Sequence, residues 1–262
     1  MWNPEDYAKN SDAQLAWARS LTQNVNLATY QAILDVGCGD GKITADFAAT
    51  VPQSRVVGVD SSPEMIAYAQ EQYSLSQYRN LTFACIDARQ INFHQEFDLI
   101  FSNATLHWVD DHQAFLQGAR QALKDQGRLI ISCGGEGNAA GILATFAELM
   151  AREPWQPYFA DFKNPYFFYG IEDYQRWLQQ AGFAVKRLEL VPKDMTHQGK
   201  VGLAGWIRTT WMPVTKHVPQ AQQDEFIAQF IELYFDKNPL DAQGLSHVSM
   251  VRLEVDAEIG QV

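Results

Sequence analysis

The sequence predicts an α/β protein built on a largely parallel sheet with helices on both faces. Short apolar runs alternate with helical patterns through the first half of the chain. The first of those runs ends in a glycine-rich turn, Gly37-Cys38-Gly39-Asp40-Gly41, that leads into a helical pattern. With 262 residues, 47% hydrophobic and 19% charged, the chain can bury one large core, so a single domain over 1–262 is expected.

Each element has its own warrant. Residues 12–26 place Leu15, Ala18, Leu21 and Val25 near helical spacing, in an N-terminal helical segment over 1–30. Ala32 to Val36 is the first strand and Ile43 to Ala49 the helix after the glycine turn. Arg55 to Asp60 is the second strand, and Pro63 suits the first turn of a helix running to Tyr73. Leu81 to Ile86, Phe97 to Phe101 and Arg128 to Ser132 are the next three strands, with a helix over Ala114 to Leu123. Residues 31–135 thus form a core of alternating strands and helices. Gly141 to Met150 is helical, and 155–169 holds eight aromatics punctuated by prolines, which excludes one regular helix there. Ile171 to Ala181 is helical and stops at Gly182. Phe183 to Val191 and His247 to Ala257 are the last two strands, with helices over Gly199 to Met212 and Gln220 to Asp236. Two helices exceed what one crossover needs. Segments 136–170 and 195–240 are therefore expected to form a helical cap over the carboxyl edge of the sheet.

Thirty-one acidic against twenty basic residues give a net charge of −11. With no Lys/Arg run, a nucleic-acid partner is not expected, nor is an anionic membrane. No apolar stretch approaches the ~20 residues of a membrane span. The N-terminus lacks the basic start and apolar run of a signal peptide. Three widely spaced cysteines give no disulfide framework or C-x-x-C site, and the six histidines show no ligand spacing, so no metal is expected. A reducing cytoplasm is the expected home. Monomer and homodimer both stay open.

The candidate site starts at the glycine turn, where missing side chains let a ligand approach the backbone. Asp60 closes the second strand, where a carboxylate can accept ribose hydroxyls, and Asp87 follows the third. The alternative is that both acids cap the turns that follow. A dinucleotide fold would show G-x-G-x-x-G, but here the spacing is G-x-G-x-G, with Lys42 at the third position of the dinucleotide pattern. Asp35 fits poorly beside a pyrophosphate and suits a ligand carrying an ammonium and a sulfonium.

In these residues the chain resembles the class I S-adenosylmethionine-dependent methyltransferases. Asp35-Val36-Gly37-Cys38-Gly39, Asp60, Asp87-Ala88 and Phe97-Asp98-Leu99-Ile100 follow in order through 31–135. The resemblance implies a doubly wound, seven-stranded, mostly parallel sheet with its final strand antiparallel, and S-adenosylmethionine as cofactor. It places Gly37 and Gly39 along the methionine part, Asp60 on the ribose, and Asp87 and Ala88 at the adenine. Asn103 joins the cofactor residues. Ser61 stands where the family usually stacks an apolar residue on the adenine, which leaves that face to another residue such as Met65.

Ser102-Asn103-Ala104-Thr105-Leu106-His107-Trp108-Val109, with Tyr7 and Gln14, resembles the trans-aconitate and juvenile hormone acid O-methyltransferases. So do Gly205 to Thr210 and Arg252 to Val255. That resemblance implies a small carboxylic acid as acceptor. Such an acid is ionised at neutral pH and needs no general base. The aromatic stretch, Trp108, Trp206 and Trp211 are candidate walls of an acceptor pocket, against ordinary core packing. Arg208 is the candidate anchor, against a surface ion pair. Gln14 is a candidate hydrogen-bonding residue and Tyr7 a candidate cover over the methyl donor. His107 is the candidate base if the acceptor is a hydroxyl, amine or carbon. A non-catalytic cofactor-binding module is a third reading.

Overall fold

The computed structural model describes residues 18–23 and 25–260. Tyr7 and Gln14 lie outside the described residues, as does most of the expected first helix, which is seen as a helical segment at 18–22. The described chain divides into two compact units. One holds the residues up to Glu136, Tyr166–Leu190 and the end from Arg252, and the other holds Gly137–Pro165 and Val191–Val251. The second unit holds most of the residues of 136–170 and 195–240.

The first unit is the sheet. Its strands are β1 (Ala32–Val36), β2 (Arg55–Asp60), β3 (Leu81–Cys85), β4 (Phe97–Asn103), β5 (Leu123–Gly134), β6 (Phe183–His197) and β7 (Ser246–Ile259), of which the last two continue into the second unit. The seven strands lie in the order β3-β2-β1-β4-β5-β7-β6. The first five pair in parallel, and β7 runs antiparallel to β5. This is the doubly wound topology, with the strand order reversing beside β1. All five residues of β1 are buried, as a central parallel strand covered on both faces requires.

Besides the segment at 18–22, the helices described in this unit are α1 (Lys42–Thr50), α2 (Pro63–Gln72), α3 (His112–Ala122) and, after the excursion through the second unit, α5 (Ile171–Gln180). On one face of the sheet, Phe115, Leu116 and Ala119 of α3 and Tyr174 and Leu178 of α5 pack with Leu34, Ile100 and Leu129. On the other, Phe47 and Ala48 of α1 and Ala18 and Val25 pack with Ile33, Leu99 and Phe101. Ser62 caps α2 by accepting from the Met65 amide at 3.2 Å, with Pro63 at the first helical position. Asp98, part of the strand motif, works at the opposite edge from the candidate site. Its Oδ2 accepts from the amides of Gln31 (3.0 Å) and Ala32 (2.9 Å), which fixes the start of β1.

The second unit is helical: α4 (Ala140–Met150), α6 (Gly199–Thr210), α7 (Met212–Thr215) and α8 (Gln223–Phe235). Its core is aromatic. Phe146 meets Phe230 at 4.3 Å and Trp211 at 5.6 Å, and Trp155 and Phe159 both pack on Phe226. The buried Trp155 donates its indole N–H to Gln229 at 2.9 Å. Trp155, Phe159 and Trp211 are therefore core residues of this unit, which is the ordinary packing alternative for them.

Candidate active site

The site is built from the carboxyl ends of β1 to β5. The turn after β1 is held by its neighbours: the amides of Gly37 (2.7 Å) and Cys38 (3.0 Å) both donate to the Val59 carbonyl. Gly37, Gly39 and Gly41 all have positive φ, at 77°, 54° and 82°. Gly37 also has no room for a side chain, because a Cβ there would stand 2.1 Å from Thr105. Thr105 Oγ1 donates to the Gly37 carbonyl at 3.1 Å, so the loop after β4 closes directly on the loop after β1.

Asp60 accepts from the Gly39 amide at 3.0 Å and the Ser62 amide at 2.9 Å. It caps its own turn, as the alternative had it, and also grips the glycine loop. Burial raises its pKa against the pull of those amides. Asp35 is buried and accepts from Thr44 Oγ1 at 2.7 Å. Desolvation raises its pKa to about 7, with the charges of Asp60 and Asp40 adding to the effect. Asp87 caps the turn Ala88–Gln90 through the Arg89 amide at 2.9 Å and is gripped by the Arg89 guanidinium at 2.6 and 3.0 Å. Those bonds hold its pKa low. Arg89 also reaches Asp110 at 2.8 Å, so it ties the loop after β3 to the segment after β4. Ala88 and Met65 are buried and Ser61 is exposed.

S-adenosylmethionine presents an ammonium, two ribose hydroxyls and an adenine amine, all hydrogen donors. Three carboxylates, Asp35, Asp60 and Asp87, sit at or just beyond the ends of three adjacent strands, beside a turn whose Gly37 and Gly39 are half-buried and whose Gly41 is buried. The acceptor-rich set fits that ligand.

The aromatic residues 166–169 stand in the sheet unit. Trp108 lies 4.8 Å from Tyr166, Tyr166 stacks on Phe168 at 5.6 Å, and the Phe167 amide donates to the His107 carbonyl at 2.9 Å. Half-buried Trp108 thus belongs to an aromatic wall beside the end of β4. His112 Nε2 donates to the Leu106 carbonyl at 2.7 Å and its Nδ1 accepts from Tyr174 at 2.6 Å, which pins the turn Leu106–Trp108.

Two expected roles need correction. His107 Nδ1 accepts from the Gly134 amide at 3.2 Å, which places its proton on Nε2. Desolvation, followed by the charge of Arg252, pulls its pKa down to about 3, which is too weak a base for the role assigned to it. Arg208 donates to Asp224 at 2.9 Å on the exposed surface of the second unit. It is the surface ion pair, and its anchor role is withdrawn. Trp206 packs against His197 (5.0 Å) and Trp211 (5.8 Å) within the same unit.

One polar group escaped the sequence reading as a site residue. Arg252 of β7 is only 3% exposed and donates to Asn103 Oδ1 at 3.0 Å and to the Ser132 carbonyl at 2.7 Å. Asn103, expected at the cofactor, therefore has its side-chain oxygen on Arg252. Among the described residues, no group of three or more His, Cys, Asp or Glu converges as a metal site, and no helix is long and apolar enough to cross a membrane.

A seven-stranded, mostly parallel sheet with an antiparallel β7 and this loop set defines the class I methyltransferase architecture. Residues 29–182 match the family described as methyltransferase domain. An uncharacterised methyltransferase of Schizosaccharomyces pombe is 31% identical over 196 residues, 73% of this chain and 74% of the relative. A trans-aconitate 2-methyltransferase of Mycobacterium sp. (strain KMS) is 30% identical over 264 residues, 99% of this chain and 100% of the relative. The fold is similar to a methyltransferase structure from Bacillus halodurans (TM-score 0.65, 17% identity, 94% of this chain and 100% of that one). It is also similar to an O-methyltransferase of Brevibacillus brevis in complex with S-adenosyl-L-homocysteine (TM-score 0.57, 14% identity, 95% and 76%). The chain belongs to the methyltransferase domain family and is an S-adenosylmethionine-dependent methyltransferase.

Proposed function

We propose that the chain methylates a small carboxylic acid to its methyl ester in the cytoplasm. One observation carries the choice of acceptor: the histidine beside the site has its Nδ1 taken by the Gly134 amide, and desolvation holds its basicity down. A hydroxyl, amine or carbon acceptor usually has to lose a proton, and His107 is a poor place to put it. A carboxylate arrives ionised and brings its own lone pair. Similarity along nearly the whole chain to trans-aconitate 2-methyltransferase supports the same class.

When bound, S-adenosylmethionine supplies an electrophilic methyl on a sulfonium. The glycine loop and Asp35 would hold its methionine half, Asp60 its ribose, and Asp87 with Ala88 its adenine. Thr105 keeps the glycine loop against the end of β4, so donor and acceptor loops share one rigid reference. Trp108, Tyr166 and Phe168 offer an apolar wall that keeps water from the reacting oxygen. The chain's contribution is alignment and dehydration rather than proton transfer.

A panel of small acids, phenols and amines with labelled S-adenosylmethionine tests this. Turnover is expected for acids alone. At saturating S-adenosylmethionine the rate should stay flat from pH 6 to 8, and His107→Gln should keep it within about threefold. Turnover of a phenol or amine, with an acid limb that vanishes in His107→Gln, would overturn the reading.

A further inference from the structure

Asp87 Oδ1 accepts from the Arg89 amide at 2.9 Å and from Arg89 Nε at 3.0 Å, and its Oδ2 accepts from Arg89 Nη2 at 2.6 Å. One edge of the guanidinium thus lies along both carboxylate oxygens, while the amide of the same residue holds Oδ1 from the backbone. The far end of the guanidinium is held too. Its Nη1 donates to Asp110 Oδ1 at 2.8 Å, across a separation of 21 residues in the chain. A half-buried aspartate on a loop ordinarily turns about its side-chain bonds. Asp87 is denied that freedom by three bonds from one residue, itself braced on a second acid. The lone pairs can be counted. Oδ1 has two donors and Oδ2 has one among the described residues, so one acceptor direction on Oδ2 is left for a ligand. The bonds to Arg89 also hold the carboxyl ionised, so it accepts and never donates.

We propose that Arg89 is a positioning residue for the base of the methyl donor: braced by Asp110, it locks the Asp87 carboxylate in one orientation and so makes the site select a 6-aminopurine. This rests on the reading that Asp87 meets the adenine, and deepens it. Adenine carries an amine at position 6 and an acceptor at N1. Hypoxanthine carries a carbonyl at position 6 and its hydrogen on N1, one ring atom away. A carboxylate locked opposite position 6 bonds the amine and repels the carbonyl, because two acceptors then face each other. A carboxylate free to swing reaches the N1–H instead and tolerates the change. The selectivity thus comes from the rigidity of the acid, which its supporting residues supply, and not from its charge alone.

Titration calorimetry on the full chain with S-adenosylhomocysteine and its 6-oxo analogue, S-inosylhomocysteine, tests this. Wild type should prefer the amine by about 100-fold, less than a fully enclosed polar site would, because Asp87 is only half-buried. Arg89→Met keeps the backbone amide on Asp87 and removes the fork. Its preference should fall to about tenfold or less, chiefly through tighter binding of the analogue. Arg89→Lys should show the same loss, since a point charge supplies no parallel pair of bonds. Asp110→Ala should lower the preference as well, and should change nothing further when added to Arg89→Met. The guanidinium is exposed, so these variants should fold. A wild type without preference, an unchanged preference in Arg89→Met, or equal weakening of both ligands in that variant would overturn the proposal. So would an Asp110→Ala effect that persists in full beside Arg89→Met. Asp87→Asn separates the proposal from the reading beneath it. If Asp87→Asn keeps the wild-type preference, Asp87 is not at the base and both fall. If it abolishes the preference and Arg89→Met does not, Asp87 stands at the base and only the role of Arg89 falls.

Discussion

Asp35 is the residue at which stability and cofactor binding oppose each other. It is buried, takes one bond from Thr44, and has a pKa of about 7 where a carboxylate usually has 3.8. Through that window the folded chain keeps a proton that the unfolded chain has lost. Stability therefore falls as pH rises from about 4 to 7, and the cost of the buried charge is complete above that range. A cationic ammonium nearby would offset the cost. Asp35→Asn keeps an acceptor for Thr44 but carries no charge. The ligand-free variant should melt several degrees above wild type at pH 8, with the gain shrinking toward pH 4. Its affinity for S-adenosylhomocysteine should fall about tenfold, roughly 1.4 kcal/mol. Melting at the two pH values and calorimetry with the ligand check both halves.

At the scale of elements, the β1–turn–α1 unit is the piece whose shape has least tolerance. Gly37 has φ 77° and no space for a Cβ beside Thr105. Gly37→Ala should therefore cost about 2 kcal/mol or more of stability, from the left-handed backbone and the forced shift of Thr105. S-adenosylhomocysteine affinity should fall with it, as denaturant melts and calorimetry would show. This piece was legible in the sequence because a central parallel strand is a bare apolar run and its turn needs glycines. The same holds for β2 and β4. The later strands were read short. β5 begins at Leu123, and its Lys124, Asp125 and Gln126 carry no apolar signal; they fall in an irregularity of the pairing, which passes from Phe97–Leu123 to Leu99–Arg128. β6, the strand beside β7, runs on to His197 through residues with little apolar signal. In the candidate site, Asp60 and the glycines could be singled out because residue type and place along the strand mark them. Arg252 could not, since its partner Asn103 lies 149 residues away and nothing local marks the pair. Arg208 failed in the opposite direction: nothing near it in the chain shows that Asp224 lies alongside.

Over the whole molecule the dominant fact is charge. The chain carries a formal charge of −11 at neutral pH, and three of its acidic residues, Asp35, Asp60 and Asp87, stand at the candidate site. S-adenosylmethionine has a net charge of +1 and its product S-adenosylhomocysteine has none, so the field of the protein favours the substrate over the product. An acidic acceptor meets the opposite field on approach and depends on a local cation to be held. At 0.05 M salt the Debye length is about 14 Å, and at 0.5 M it is about 4 Å, so added salt removes the long-range part of both effects while leaving buried contacts largely intact. The two reactants should then respond in opposite senses. The affinity of S-adenosylmethionine should fall severalfold relative to S-adenosylhomocysteine between those salt concentrations, while the KM of a carboxylic acid acceptor should decrease. Titration calorimetry and initial rates at four ionic strengths would show it. An uncharged acceptor would leave the second trend flat, so the sign of the salt effect on KM separates an acid-methylating enzyme from one that acts on phenols.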